Sequence, residues 1–246
     1  MQIEGKNAVK EALLSGMTIN KLMVDKSLSQ KDEIIAIAYK NKVKIEFLPK
    51  AILDKKTTTA HHQGYIAQAV DFEYCDCEEI LNHAKTLNKK PFIILLDGIE
   101  DPHNFGAIIR SCECAGVDGI VISKNRCAQV NDTVIKTSTG AIANMLIARV
   151  TNLKEAIDFF KENDVWVYAA EADGQNIYQS KFPDAGLAIV IGSEGNGVKK
   201  SIKTYCDGVV SLPLKGKVNS LNASVACGII IFEILRQNEE KAVKKP

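Results

Sequence analysis

The sequence lacks an excess of charge of either sign, and it lacks long hydrophobic runs. Its 31 Lys and Arg residues against 30 Asp and Glu residues give a formal net charge of +1. The chain is therefore not a polycation that coats nucleic acid through bulk charge, and any nucleic-acid site must be local. No apolar run approaches the ~20 residues that a membrane-spanning helix needs. The segment after Met1 lacks the basic and then apolar pattern of a secretory signal, so we expect a cytoplasmic protein with no membrane partner.

The composition excludes several fold classes. Hydrophobic residues make up 46% and charged residues 25% of the 246-residue chain, which excludes disordered, collagen-like and coiled-coil proteins. Seven cysteines, an odd number without an export signal, favour reduced thiols over a disulfide framework. Cys112 and Cys114 fall two apart on a predicted helix and point about 200° away from each other, so they cannot share a metal. Cys75 and Cys77 lack a second ligand pair, and we expect no metal site.

Charge is distributed unevenly along the chain. Residues 1–70 carry 11 Lys and 7 acidic residues, a balance of +4, whereas residues 71–100 carry 3 Lys and 7 acidic residues, a balance of −4. Helical and strand patterns alternate in the first segment, which we predict to be a small α/β domain. Residues 71–90 read as a linker with one short helix, and residues 91–246 as a second domain.

Short apolar runs alternate with helical patterns in the second domain. These runs are residues 92–96, 119–122, 145–150, 165–169, 187–191 and 209–212. Near-continuous apolar strands separated by helices predict an α/β fold with a parallel sheet covered on both faces. Ligands of such sheets bind beyond the carboxyl ends of the strands, which directs attention to the loops after Leu96, Ile191 and Leu212. The Lys-rich tail after Gln237 is predicted to be disordered.

The first of these loops leads into a helix. Asn104 is placed to cap that helix, and Gly106 allows a ligand or another backbone to approach closely. Arg110 follows Asn104 by six residues, about 9 Å along the helix axis. A cation near a helix start opposes the macrodipole, which suggests an anionic partner. A structural and a functional Arg110 are equally compatible with this spacing.

The second and third loops are rich in glycine and in amide side chains. Residues 192–197 match neither a dinucleotide-binding motif nor a P-loop, since Val198 stands where the P-loop lysine should be. This disfavours NAD and ATP. Glu194 is either a turn residue or a ligand contact. In the third loop, residues 212–222, the default explanation of Asn222 is an N-cap of the helix that follows.

Together the three loops resemble the three motifs of the SpoU (TrmH) family of RNA 2′-O-methyltransferases. The matching stretches are Asp97 to Arg110, Ile191 to Gly195 and Ser211 to Ala226, in the family's order and separation. The resemblance covers residues 91–236. The front segment, with residues 5–9 and 62–64, resembles the RNA-binding domain of the 23S rRNA (guanosine-2′-O)-methyltransferase subfamily.

The resemblance implies S-adenosylmethionine bound in a deep trefoil knot, a homodimer whose active site draws residues from both subunits, and 23S rRNA as the partner. It assigns catalytic roles to Asn104, Arg110, Glu194, Ser220 and Asn222. It assigns largely main-chain cofactor contacts to Gly192, Leu212 and Leu221. The threonine that often contacts the cofactor in the family is replaced here by Ala169 or Ala170.

The implied chemistry suits these residues. A ribose 2′-hydroxyl is a poor nucleophile, so methylation needs its proton removed or its oxygen polarised. A guanidinium normally stays protonated, so we expect Arg110 to bind the adjacent phosphate and polarise the hydroxyl, with the identity of the base left open. The 2′-hydroxyl also makes the target RNA rather than DNA.

Three alternatives stay open on the sequence. A tRNA guanosine methyltransferase and a resistance-type rRNA methyltransferase use the same motifs. A non-catalytic RNA-binding or ribosome-assembly module would explain the basic front segment, but it predicts degraded motifs.

His61 and His62 fit an RNA contact and a structural turn equally well.

Overall fold

The structure is a computed structural model that describes residues 1–14, 17–29, 32–59, 61–69 and 72–243. The chain divides into two compact units, Met1–Glu73 with Val130–Asp132, and Tyr74–Gln129 with Thr133–Pro246. The predicted boundary between residues 70 and 71 falls outside the described residues. Among the helices that the structure describes, none is both long and apolar enough to cross a membrane.

The first unit is a four-stranded sheet with helices. Its elements are β1 (Gln2–Glu4), α1 (Lys6–Leu14), β2 (Ile19–Asp25), α2 (Glu33–Lys40), β3 (Lys44–Leu48), α3 (Lys50–Lys56) and β4 (Tyr65–Ala69). The sheet order is β1-β4-β2-β3, with β2 parallel to β3 and β4 antiparallel to both of its neighbours. This unit combines helices and strands, as the alternating patterns of the first segment predict.

The two faces of this sheet are covered unequally. On one face α1 and α2 bury apolar side chains, including Val9 and Ile34, against Leu22 and Tyr65. On the other face α3 supplies Leu53 to a small cluster with Met23 and Ile66. The second face therefore remains partly open to solvent.

The second unit is a six-stranded parallel sheet between helices. Its elements are α4 (Cys77–Thr86), β5 (Phe92–Asp97), α5 (Pro102–Cys114), β6 (Gly119–Ser123), α6 (Asp132–Ser138), a 3-10 helix (Ala141–Asn144), β7 (Leu146–Val150), α7 (Leu153–Glu162), β8 (Val165–Asn176), β9 (Gly186–Gly192), α8 (Lys200–Lys203), β10 (Gly208–Ser211) and α9 (Ala223–Val243). The strand order is β10-β8-β9-β5-β6-β7. Each of the six predicted apolar runs forms one strand, and the prediction of a parallel α/β sheet is confirmed.

Both faces of the second sheet are covered. The core on one face joins side chains of α4, α7 and α8 to those of the strands, among them Ile80, Ile157 and Ile202. On the other side α5 packs on α9, and α9 contacts β9. Burial on both faces leaves the strand ends as the places where polar side chains of this sheet can meet a ligand.

The structure differs from the predictions in two segments, the linker and the C-terminal tail. Residues 74–90 belong to the second unit, where Ile80 of α4 lies directly over Gly119 of β6. The prediction of a disordered tail after Gln237 is wrong for residues 238–243, because α9 continues to Val243. Lys241 Nζ donates to the Phe182 carbonyl at 3.0 Å, which holds this last part of the helix against the unit.

Candidate active site

The three unusual loops meet at one edge of the second sheet. Since β5 and β9 are adjacent parallel strands with Asp97 paired to Gly192, the loops that follow them leave the sheet side by side. β10 runs in the same direction and ends at Ser211, so the third loop leaves from the same edge. This is the edge at which the sequence predicts a ligand site.

One side-chain network joins the three loops. Asn104 Nδ2, in the first turn of α5 directly after the first loop, donates to Glu194 Oε1 of the second loop at 2.9 Å. Asn222 Nδ2 from the third donates to Glu194 Oε1 and, at 2.9 Å, to Asn104 Oδ1. The Ala223 N–H, at the start of α9, also donates to Glu194 Oε1 at 3.3 Å. A single carboxylate oxygen thus fixes the relative positions of all three loops.

The structure shows which polar side chains at this edge cap a helix and which do not. Asn222 Oδ1 accepts the backbone N–H of Ser224 at 3.0 Å and of Val225 at 3.3 Å, so it caps α9 as expected. The expectation that Asn104 caps α5 is wrong. Asp101 is the N-cap, and its carboxylate accepts the N–H groups of His103 and Asn104. The Asn104 side chain is thereby free for the network.

A cavity of about 540 Å³ opens beside this network. Its lining includes five predicted site residues, Gly192, Glu194, Leu212, Ser220 and Leu221. The backbone around Gly192 is tightly folded, since a Cβ built there would lie 2.0 Å from the carbonyl carbon of Gly197. Glycine at 192 is therefore required for the second loop to fold back, and the loop presents main chain to the cavity.

Ala170, Glu171 and Ala172 form another wall of the cavity. Ala170 therefore occupies a wall position, whereas Ala169 is buried in the core. The sequence gives no reason to single out Glu171. Its place follows from the register of β8 against β10, which is a property of the folded sheet.

Two carboxylates accept backbone N–H groups of the residues that directly follow the second loop. Asp97, only 2% exposed, accepts the Lys199 N–H at 2.9 Å and also contacts Lys199 Nζ. Glu171 Oε1 accepts the Val198 N–H. An acidic residue that closes an apolar strand, as Asp97 does, is the kind of signal that could have been recognised from the sequence.

Arg110 lies apart from these residues. It is exposed on α5 and is not among the residues that line the cavity. Because α5 begins at Pro102, Arg110 is its ninth residue rather than one near its start, and it lies about 12 Å along the axis. The macrodipole argument for an anionic partner therefore fails, since that effect is confined to the first and last turns.

Cysteine and histidine side chains have structural surroundings. Burial, with the neighbouring Cys227 thiol, raises the pKa of Cys112 well above its usual range, whereas Cys114 is exposed. His62 is buried, contacts Asp54 through Nε2 at 2.8 Å and accepts the Gly64 N–H through Nδ1 at 3.0 Å. The structural-turn interpretation is therefore correct for His62. Across the part of the chain that the structure describes, no three His, Cys, Asp or Glu side chains are grouped to hold a metal ion.

Two family models match the chain. The model of the SpoU rRNA Methylase family matches residues 91–232, and the model described as RNA 2′-O ribose methyltransferase substrate binding matches residues 2–75. A Staphylococcus haemolyticus protein named as a TrmH family tRNA/rRNA methyltransferase is 41% identical over 240 residues, covering 97% of this chain and 96% of that protein. A Staphylococcus aureus protein of the same name is 39% identical over 97% of this chain and 96% of that protein.

Solved structures share the fold. The SpoU methyltransferase AviRb from Streptomyces viridochromogenes, solved in complex with AdoMet, aligns with a TM-score of 0.61 and 20% identity, covering 97% of this chain and 90% of that one. An Aquifex aeolicus TrmH/SpoU tRNA modifying enzyme aligns with a TM-score of 0.57 and 28% identity, covering 67% of this chain and 86% of that one.

Proposed function

Since the chain belongs to the SpoU rRNA methylase family, we propose that it transfers the methyl group of S-adenosylmethionine to the 2′-oxygen of a guanosine ribose in 23S rRNA. The observation that carries the proposal is the Asn104–Glu194–Asn222 network, which joins the three motifs beside a cavity lined by the second and third loops. A non-catalytic RNA-binding module would have no use for this arrangement.

The cavity fits the methyl donor. Its volume of about 540 Å³ lies within the range of small-molecule sites. The folded-back backbone at Gly192 offers main-chain groups to an adenosine, and the apolar side chains of Leu212 and Leu221 line the same space. We assign cofactor binding to these three residues. When bound, S-adenosylmethionine supplies an activated methyl group on a sulfonium sulfur.

The chain's own groups then orient the acceptor. Ser220 lines the cavity, and the network holds the Asn104 and Asn222 amides beside it. We assign these side chains to holding the ribose so that the 2′-oxygen lies in line with the methyl group. We assign Arg110 of a second copy of the chain to binding the neighbouring phosphate and polarising the 2′-hydroxyl. As the 2′-oxygen bonds to the methyl carbon, the carbon–sulfur bond would break to leave S-adenosylhomocysteine, and the hydroxyl proton would pass to solvent.

A homodimer would explain why Arg110 lies outside the cavity of its own chain. A stripe on α9 also indicates a partner, because Val225, Ile229 and Phe232 are spaced along one side of the helix and are 49%, 37% and 47% exposed. We propose that a second copy covers this stripe and supplies its Arg110 to the site. We also propose that the third loop and α9 belong to a deep trefoil knot, and that the protein works in the cytoplasm.

We assign RNA binding to the partly open sheet face of the first unit. There one polar row crosses all four strands. Register pairs join Gln2 to Gln68, Gln68 to Lys21, and Lys21 to Lys44. Glu46 lies on the same face and pairs with Lys21. This contact with Lys21, and then the charges of Lys21, Lys56 and Lys44, lower the pKa of Glu46, so Lys56 of α3 also lies near this face. Amide donors and ammonium groups in a row suit the sugar-phosphate backbone of an RNA.

A front unit of this kind favours rRNA over tRNA as the substrate. The substrate-binding family model matches residues 2–75, whereas the Aquifex tRNA modifying enzyme covers only 67% of this chain. Transfer to a tRNA guanosine is the second candidate, because the Staphylococcus relatives are named for both RNA classes.

The test is to map new 2′-O-methyl groups after incubating the purified full-length protein and S-adenosylmethionine with unmethylated 23S rRNA and, separately, with tRNA. We expect one guanosine in 23S rRNA to be modified. Modification of tRNA alone would select the second candidate, and modification of neither RNA would contradict both.

A further inference from the structure

The ionisable side chains that line the cavity are both acidic. They are Glu171 and Glu194, and no Lys, Arg or His is found among the described lining residues. Glu194 Oε1 is already surrounded by amide and backbone N–H donors of the three-loop network. Glu171 makes none of the hydrogen bonds of this network, so the network does not explain its position in the cavity wall.

Glu171 lies where β8 leaves its ladder. Ala169 pairs with Val209, but the next partner pair is Gln175 with Val210, so residues 170–174 bulge away from β10 while Ala170 still pairs with Ile191 of β9. Bulges re-aim side chains, and this one directs residues 170–172 to the cavity wall. The bulge rejoins the sheet at Gly174, where a Cβ would lie 2.6 Å from the carbonyl carbon of Val210.

One oxygen of Glu171 has a structural partner. Oε1 accepts the Val198 N–H, and the carboxylate lies against the Cα of Gly197, where a built Cβ would come within 2.1 Å of Oε1. Lys203, a nearby cation, pairs with Asp173 at 2.9 Å and does not line the cavity. Asp173 and, to a smaller extent, Glu171 raise the pKa of Lys203. No cationic side chain of the described lining contacts Glu171.

We infer that Glu171 is a specificity residue that favours the methyl donor over the demethylated product. This inference rests on the proposed function. S-adenosylmethionine and S-adenosylhomocysteine share the adenosine, the ammonium and the carboxylate groups, and they differ in the methyl group and in the positive charge on sulfur. A fixed carboxylate in the cavity attracts the sulfonium and has no such attraction for the neutral thioether. Transfer of the methyl group would therefore weaken the hold on the product and favour its release.

The experiment compares calorimetric affinities of the two ligands for the full-length protein and for its variants. Glu171→Gln keeps an oxygen that accepts the Val198 N–H but removes the charge. We expect it to lower the affinity for S-adenosylmethionine roughly fivefold, the order expected for one charge pair in a solvated cavity, and to leave S-adenosylhomocysteine unchanged. Glu239→Gln, an exposed carboxylate on α9, is the matched control and should change neither affinity.

Glu171→Ala separates charge from positioning. It removes the acceptor for the Val198 N–H as well, so both affinities should fall further, while their ratio should equal that of Glu171→Gln. Equal losses for both ligands in Glu171→Gln would overturn the inference, since the carboxylate would then serve the ammonium group or the loop alone. Unchanged affinities would also overturn it. If the parent protein binds neither ligand, the proposed function fails rather than the role of Glu171.

Discussion

The two units use their sheets in opposite ways. In the second unit helices cover both faces, so the strands are apolar and the functional side chains collect in the loops beyond β5, β9 and β10. In the first unit α1 and α2 cover one face, and the other carries a polar row across four strands. Under the proposed function, this difference is a division of work, with the chemistry at the strand ends of one unit and RNA binding on a strand face of the other.

The largest effect should come from Arg110. Arg110→Ala should lower the methylation rate by at least ~10²-fold, the usual lower scale for losing a proton-transfer or charge-stabilising group. Because Arg110 is exposed, the melting temperature and the affinity for S-adenosylmethionine should stay near those of the parent. Arg110→Lys should not restore the rate, since a point charge does not reproduce the planar guanidinium. Full activity of the alanine variant would return Arg110 to a structural role.

The α9 stripe should control assembly. Phe232→Asp places a charge in the proposed contact between copies, and we expect a monomer with little methylation activity. Leu87→Asp is the control, because Leu87 is 54% exposed at the end of α4, on the other side of the sheet from α9. Light scattering and the methylation rate are the measurements. An active monomer would show that one chain holds a complete site.

The polar row of the first unit should affect RNA and not the cofactor. Lys21→Gln with Lys44→Gln should weaken RNA binding roughly tenfold at low salt, and it should lower the salt slope by about 0.7 to 0.9 for each phosphate that is no longer neutralised. Lys6→Gln with Lys10→Gln is the matched control, because it removes the same charge from α1. Lys6 and Lys10 pair with Asp32 and Glu33, as Lys21 pairs with Glu46. If this control pair weakens RNA binding equally, the surface has been assigned to the wrong face.

A smaller effect separates helix capping from cofactor binding. Asn222→Ala removes the α9 cap and should cost about 1 kcal/mol of unfolding free energy. It should also weaken S-adenosylmethionine binding, because the amide that joins the third loop to Asn104 and Glu194 is removed. Asn152→Ala removes the corresponding cap of α7 and should lower stability similarly while cofactor affinity is unchanged. Identical behaviour of the two variants in both measurements would reduce Asn222 to a cap.

The sequence predicts the buried framework better than the details of the site. Apolar runs identify all six strands of the second sheet, and their order places Glu194 and Asn222 at one edge. Capping is harder to predict, because Asp101 and Asn104 both suit an N-cap and only the folded loop distinguishes them. Because Asp101 caps α5, the Asn104 side chain can join the network.

Other features depend on contacts between distant segments. Glu171 reaches the cavity through a shift in register between β8 and β10, and no pattern within β8 encodes that shift. The end of α9 is polar in sequence, yet Lys241 is held by the Phe182 carbonyl from a distant loop. Local patterns thus predict the strands, whereas long-range pairing decides which polar side chains meet.

The most direct test of the central claim is a calorimetric titration of the full-length protein with S-adenosylmethionine, and with NAD and ATP under the same conditions. If the three loops form a methyl-donor site, S-adenosylmethionine binds with a stoichiometry of one per chain, and NAD and ATP do not bind. Absence of S-adenosylmethionine binding, or preferential binding of NAD or ATP, would contradict the account.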